Sequence, residues 1–315
     1  MNSKRILITT LIAVLGILFL GCQLEEGKVG SIWKPKQSQN SFDTVDIKTD
    51  FSEDKIVAQA PFDYLVTIIN NGDYTIPSGS LKVRIIGIDP MDFSISNVEQ
   101  VSESELEPKN EFSRGIHFEF QNLRYNYKLG TPVTFHSFGV GVMYEYEERG
   151  NFEMCIKKST STECEDEGYK SVSTTKGHFT ISDVEVKWIE SKRAYKLSFT
   201  VSKKNNNFYV NDEFVPFSKV DKRNEKINLK FKILSNKITG ATCKILEEDN
   251  LKELSVYNKF ISFRLKKDGT KTLECYIYPD FNRLDTDYIN MNLEMVLHYF
   301  VYQEKIDPIT IYPEE

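Results

Sequence analysis

The sequence carries no Gly-rich phosphate loop, no Gly-x-Ser-x-Gly turn and no His-Glu-x-x-His pair. Their absence removes the most recognisable forms of nucleotide, acyl-transfer and zinc-hydrolase chemistry. There is no Cys-x-x-Cys, so the cysteines lack the close spacing of a structural zinc site. No long basic run occurs and the net charge is −6, so the concentrated positive face that nucleic acid requires is missing. Histidine is scarce: His117, His136, His178 and His298 are scattered singly. Isolated in this way, each reads as a surface or hydrogen-bonded residue rather than a metal ligand. Sustained helical periodicity is absent too, with "NLKELSVYNKF" near Leu251 as the best candidate for a short helix.

The N-terminus is richer. Lys4 and Arg5 precede a fifteen-residue apolar run, Ile6 to Leu20, interrupted only by Thr9 and Thr10. A charged start followed by a short apolar run is the layout of a secretory signal. A permanent span usually takes about 20 apolar residues. The run closes at Gly21-Cys22, and the chain then turns abruptly polar. The stretch "FLGC" resembles the lipobox of prokaryotic lipoproteins, although Phe19 and Leu20 stand where the usual pattern has Leu and a small residue. The resemblance implies that Cys22 is lipidated and becomes the new N-terminus. The diacylglyceryl group it implies supplies two chains, and two are needed for stable anchoring. In the alternative reading the apolar segment stays as an uncleaved anchor. Either way the remaining chain lies outside the cytoplasm, tethered to membrane lipid.

Beyond Cys22 four cysteines remain: Cys155, Cys164, Cys243 and Cys275. An even number in an exported chain reads as disulfides. Their grouping, two in each half, favours Cys155–Cys164 and Cys243–Cys275. Loop-entropy arithmetic values the shorter closure at about 2.5–3 kcal/mol and the longer at about 3.5–4 kcal/mol.

Residues 23–42 are polar, with Gly27, Gly30 and Pro35, and form a linker. From there strands and turns alternate. "FDYLVTII" runs into Asn70-Asn71-Gly72-Asp73, a turn by composition. "GIHFEFQNL" alternates, and "FGVGVMYEYE" shows the clearest period of two. Phe138, Val140, Val142, Tyr144 and Tyr146 share one face of it; Gly139, Gly141, Met143, Glu145 and Glu147 share the other. Gly139-Val140-Gly141 begins like a dinucleotide fingerprint but has Tyr144 in place of the third glycine, so close packing explains the glycines better. After the small polar stretch Ser171 to Gly177 the plan restarts: "FTISDVEVKWIE", "AYKLSFTVSKKNNN" and "KINLKFKIL" echo "FDTVDIKTDFSEDK", "FDYLVTIINNGD" and "SLKVRIIGI".

This pattern predicts an all-β protein with two tandem immunoglobulin-like β-sandwich domains, 43–175 and 176–315, after the signal or anchor segment 1–22. The exported region resembles a group of membrane-anchored archaeal surface proteins with tandem immunoglobulin-like domains, through "VTIINNGDYTIPSG", "MCI" followed by Cys164, "FTISDVEVKW" and "LECYIYPDF". That resemblance implies a fold and a location and no activity.

No catalytic set emerges. His136-Ser137 lacks an identifiable acid partner, and "ECEDEG" and Asp285-Thr286-Asp287 lack the geometry of a calcium loop. Nothing calls for a cofactor or metal. The expected function is therefore non-catalytic: a cell-envelope interaction or scaffold protein. Its alternative is a glycan- or peptide-binding lipoprotein serving an envelope complex. Exposed aromatics on one sheet face favour the binder, and a flat charged face favours the scaffold.

Overall fold

The computed structural model describes residues 44–110, 115–158, 165, 167–233, 235–247 and 250–314. Cys22, the apolar run before it and Cys164 lie outside the described residues. Among those described, no helix is long and apolar enough to cross a membrane.

Among the described residues the regular structure is nearly all strand, as the period-two patterning predicts, with three short 3-10 turns besides. The first half provides β1 (Val45–Phe51), β2 (Ile56–Val57), β3 (Phe62–Asn70), β4 (Leu81–Ile86) and β5 (Glu99–Val101). Then come β6 (Ile116–Leu123), β7 (Val133–Phe135), β8 (Gly139–Lys157), β9 (Gly168–Lys170) and β10 (Ser173–Thr174). The second half adds β11 (Phe179–Ile189), β12 (Ala194–Lys203), β13 (Phe208–Asn211), β14 (Lys226–Lys232) and β15 (Ile238–Glu247). It ends with β16 (Asn250–Ser255), β17 (Ile261–Arg264), β18 (Thr270–Pro279), β19 (Tyr288–Ile306) and β20 (Ile309–Tyr312). The stretch read as a short helix near Leu251 is strand β16, paired antiparallel with β15. Its local periodicity yields to that pairing.

Strand β8 is longer than its sequence signal. The alternation that starts at Phe138 persists to Lys157, and β8 pairs with β19 over nineteen residues, from Gly139 with Ile306 to Lys157 with Tyr288. The two form the spine of an eight-stranded sheet ordered β17-β14-β19-β8-β4-β5, with β10 also paired to β8 and β13 to β19. A three-stranded sheet, β1-β3-β6, packs on the part of the spine around Phe138, with Tyr64 in edge contact with that ring at 5.0 Å. A six-stranded sheet, β16-β15-β18-β12-β11-β9, packs on the other part. There Phe179 meets Tyr299 at 5.0 Å, and Phe199 meets Phe231 at 6.3 Å.

The repeat seen in the sequence survives in the pairing. β1 with β3 corresponds to β11 with β12, β4 beside β8 corresponds to β14 beside β19, and the two long strands close the halves. The boundary expected between 175 and 176, however, does not separate two bodies. Phe42–Glu315 is one compact unit, because the halves share a sheet. The junction stretch itself contributes β10, which pairs with β8 at Gly150 and Asn151. The last strand, β20, crosses back to the first half, running parallel to β2 and antiparallel to β7.

Candidate functional site

Cys243 and Cys275 are fully buried and disulfide-bonded, with Cα atoms 3.9 Å apart. They face each other across β15 and β18, so the bridge lies within one sheet and not between two. Cys155, near the end of β8, is also disulfide-bonded.

The four histidines part company. His117 shares a hydrogen bond with Thr67 at 2.9 Å on the exposed side of β6. His136 is exposed, and its neighbour Ser137 donates to the Gly87 carbonyl at 2.9 Å, so the pair is not a nucleophile with its base. His178 is buried and His298 lies partly open. Three acids of the two acid-rich stretches, Asp285, Asp287 and Glu167, are held by lysines and backbone. Asp285 pairs with Lys237 at 2.6 Å, Asp287 with Lys158 at 3.8 Å, and Glu167 accepts from the Trp188 N–H at 2.8 Å. Among the described residues no group of three or more His, Cys, Asp or Glu side chains is arranged to hold a metal ion.

His178 sits in a polar knot at the centre of the spine. Leu297 opposite Glu148 is the middle pair of the nineteen, and Glu148 points inward from it, 2 % exposed. Its carboxylate accepts from the backbone N–H of His178, from Phe179 N–H at 2.9 and 3.2 Å, and from the Tyr299 hydroxyl. Because Tyr299 gives its hydrogen to Glu148, it accepts from His178 Nδ1 at 3.2 Å, which leaves Nε2 to accept from Tyr144 at 2.8 Å. That arrangement holds the imidazole neutral. Desolvation by burial, reinforced by Lys204 and Lys203, pushes His178 down to about 3. Desolvation also pushes Glu148 up to about 7, against the opposing pull of the Tyr299 hydrogen bond and Lys204.

Tyr146 completes the knot. Its hydroxyl accepts from Asp73 N–H at 3.1 Å and donates to the Lys176 carbonyl at 2.9 Å, tying a turn of the first half to the junction segment. Gly72 is needed here for space: a Cβ would lie 1.8 Å from that hydroxyl. The turn read from Asn70-Asn71-Gly72 is present, with the Gly72 N–H donating to the Asn70 side chain at 3.0 Å, but none of the three has a positive φ. The knot is closed to solvent and acts as a joint between the halves. One sequence signal for it exists. Glu148 falls in the buried phase of Phe138 to Tyr146, and a carboxylate there demands partners.

The outward face of the eight-stranded sheet is different. In the opposite phase of β8 and β19, Met143, Val296 and Tyr302 are buried, Glu145, Glu294, His298 and Phe300 are partly open, and Phe214 and Phe260 join them from flanking loops. A row of close contacts crosses this face. Lys82 lies 4.3 Å over Phe214, Phe214 meets Phe300 at 5.4 Å, and Phe300 meets His298 at 5.5 Å. His298 then meets Phe260 at 5.3 Å, and Lys230 lies 4.2 Å over Phe260. Phe214 and Phe260 are 37 % and 36 % exposed. His298 Nε2 is held by Glu145 at 2.9 Å; the same carboxylate accepts from Ser80 at 3.0 Å. These hydrogen bonds, the one from His298 foremost, lower the Glu145 pKa. Further along, Glu147 pairs with Arg149 at 2.8 Å, and Glu294 lies between Arg149 and Lys232 at 3.7 and 3.6 Å.

No protein-family model matches the chain, and no curated protein does. Among solved structures, envelope protein VP37 from White Spot Syndrome Virus matches with TM-score 0.22 and 8% identity, over 50% of this chain and 97% of that one. The secreted serine protease VesC from Vibrio cholerae matches with TM-score 0.17 and 13% identity, over 83% of this chain and 50% of that one. Tripeptidyl peptidase 2 matches with TM-score 0.17 and 10% identity, over 83% and 21%. Likenesses this slight bear on neither fold nor chemistry.

Proposed function

We propose that this protein is a non-catalytic, membrane-anchored module of the cell envelope that works by binding, and that the outward face of its eight-stranded sheet is the contact surface. The row from Lys82 to Lys230 carries this reading, because it places two exposed rings, Phe214 and Phe260, beside lysines on one face, with the partly buried His298 and Phe300 between them. Exposed apolar surface rimmed by polar groups marks interaction sites. Of the two readings the sequence leaves open, the aromatic row favours the binder over the plain scaffold. Each half is read as an immunoglobulin-like sandwich fused to the other through the shared sheet. The disulfide between Cys243 and Cys275 suits an oxidising compartment, and the "FLGC" segment suits attachment through Cys22.

Two measurements test this reading. Intact mass of the native protein should show a chain beginning at a lipidated Cys22; an unmodified chain starting at Met1 would sink the lipoprotein reading. Pull-down from detergent-solubilised envelope should recover a partner with the native chain and lose it with Phe260→Ala. Equal recovery by both removes the sheet face as the contact surface.

A further inference from the structure

Strands β13 and β14 pair with the same edge of β19, at Phe300–Gln303 and at Glu294–His298, while β8 takes the other edge. The connection between them, residues 212–225, does not turn back along that edge. It crosses the outward face. Phe214 reaches Phe300 of β19 and Lys82 of β4, Phe217 reaches Tyr302 of β19 and Gly141 of β8, and Lys222 pairs with Glu304 at 2.9 Å. Both ends of the crossing are fastened. Asp212 accepts from the Ser262 hydroxyl with its carboxylate and from the Asn228 side chain with its carbonyl, the latter at 2.6 Å. Glu225 accepts from Lys203 at 2.8 Å and from the Val210 N–H at 3.1 Å. The stretch between is not tied by its backbone. Among the described residues, the N–H and C=O groups of 213–222 form only local turns, from Lys219 to Pro216, Val220 to Phe217 and Asn224 to Asp221, and none bonds to the sheet beneath.

Gly141 makes room for the crossing. A Cβ there would lie 3.1 Å from the Tyr302 ring and 3.2 Å from the Phe217 ring, so the bare backbone of β8 is a seat that Phe217 occupies. The remaining ties are slighter. Lys222 and Glu304 form a half-exposed ion pair, which contributes little, and Phe214 is itself exposed. A segment with fixed ends, no ladder bonds and one apolar plug opens locally while the sheet stays folded. We infer that residues 213–222 form a latch, with Phe217 as its plug and Gly141 as its seat, whose closure sets Phe214 into the contact row and whose opening withdraws it. The inference rests on the binding reading above and gives that surface a switch. Phe217 and Gly141 stand outside the row from Lys82 to Lys230, so they are positioning residues that act on it through Phe214. Opening also bares the Tyr302 ring, which Phe217 packs against at 5.7 Å.

The test uses the full chain in detergent, held under native conditions with dilute trypsin, and follows by mass the cut after Lys219. That residue ends the 3-10 turn Phe217–Lys219, which must leave the sheet and extend to be cut. At low protease the rate therefore follows the open population. Phe217→Ala should raise it by about tenfold or more, since most of the plug's burial is lost. Gly141→Ala should act in the same direction by crowding the seat. The two combined should be cut no faster than Phe217→Ala alone, because both act on one contact. Phe217→Leu keeps an apolar plug and should fall between wild type and alanine, which preserves the test if the alanine variant fails to fold. Envelope capture should drop with Phe217→Ala as it does with Phe260→Ala. A cutting rate indifferent to both Phe217→Ala and Gly141→Ala would overturn the latch. Faster cutting with capture intact would show a segment that opens without switching the row, and the inference falls while Phe260→Ala still upholds the binding reading. Capture indifferent to Phe217→Ala and Phe260→Ala alike would remove the binding reading, and the switch with it.

Discussion

Gly177 lies against the Glu148 carboxyl so closely that a Cβ on it would sit 2.1 Å from the Glu148 Cδ. The glycine is needed for this approach, because its φ is not positive. Gly177→Ala should therefore destabilise the fold by about 1–3 kcal/mol, as overpacking of a closed site does. Chemical denaturation measures it. In a Glu148→Ala background the same substitution should cost much less, and the double-mutant cycle should show coupling above ~0.5 kcal/mol. Strict additivity would mean that the two residues do not press on one another.

Glu148 and His178 make opposite demands on pH. Glu148 is raised from 4.5 to about 7, so its contribution is present below 4.5 and is lost as pH rises through 7. His178 is lowered from 6.5 to about 3, so its contribution is present above 6.5 and is lost as pH falls through 3. Between 4.5 and 6.5 the two slopes offset, and stability should be nearly flat there. Glu148→Gln removes one slope. Its unfolding free energy should then climb by about 2–3 kcal/mol across that window, at 1.36 kcal/mol for each pH unit. A flat profile in the variant would show that His178 does not titrate on unfolding.

The bridge between Cys243 and Cys275 closes a sequence separation of 32 within one sheet. Replacing both with alanine should lower stability by about 2–4 kcal/mol without altering the fold. Urea denaturation of the oxidised wild type against the double variant gives the value. Non-reducing peptide mapping should find Cys243 linked to Cys275 and not to a cysteine of the first half.

Neither half should fold alone. Cut near residue 176, the first fragment leaves the β19-facing edge of β8 open along nineteen residues, and the second leaves β19 equally bare. An exposed edge of that length invites aggregation. Each fragment expressed singly should be insoluble or unfolded, and the two produced together should recover a soluble pair with the circular dichroism of the whole. Independent cooperative unfolding of one fragment would restore the two-domain division.

The sequence was most legible where the signal was local. The alternation from Phe138 to Tyr146 marked a buried face that holds: all five inward residues have no exposure. The grouping of cysteines anticipated the Cys243–Cys275 pair. What the sequence hid was non-local. Nothing in "FGVGVMYEYE" says that its partner strand is β19, so a repeat that reads as two domains folds as one unit. Gly72 does sit in the turn its neighbours mark, held by the Asn70 side chain, but the space it leaves is for a tyrosine hydroxyl more than seventy residues away, which no local signal gives. His178 looked isolated for the same cause, since Glu148, Tyr144 and Tyr299 reach it from other strands. The aromatic row is assembled from loops and strands scattered between Lys82 and Phe300, and no window of sequence contains it.

The pairing of β8 with β19 also sets an order of events as the chain is made. β8 is complete before half the sequence has been synthesised, yet its partner lies in the last thirty residues, and β2 waits longer still for β20. Contacts so distant along the chain slow folding, because loop-closure entropy is lost before they form. Through that interval an apolar strand edge stands open, the condition under which nascent chains aggregate. The protein should therefore depend on a holding chaperone until its C-terminus emerges, and ribosome-stalled chains ending before Tyr288 should remain sensitive to protease.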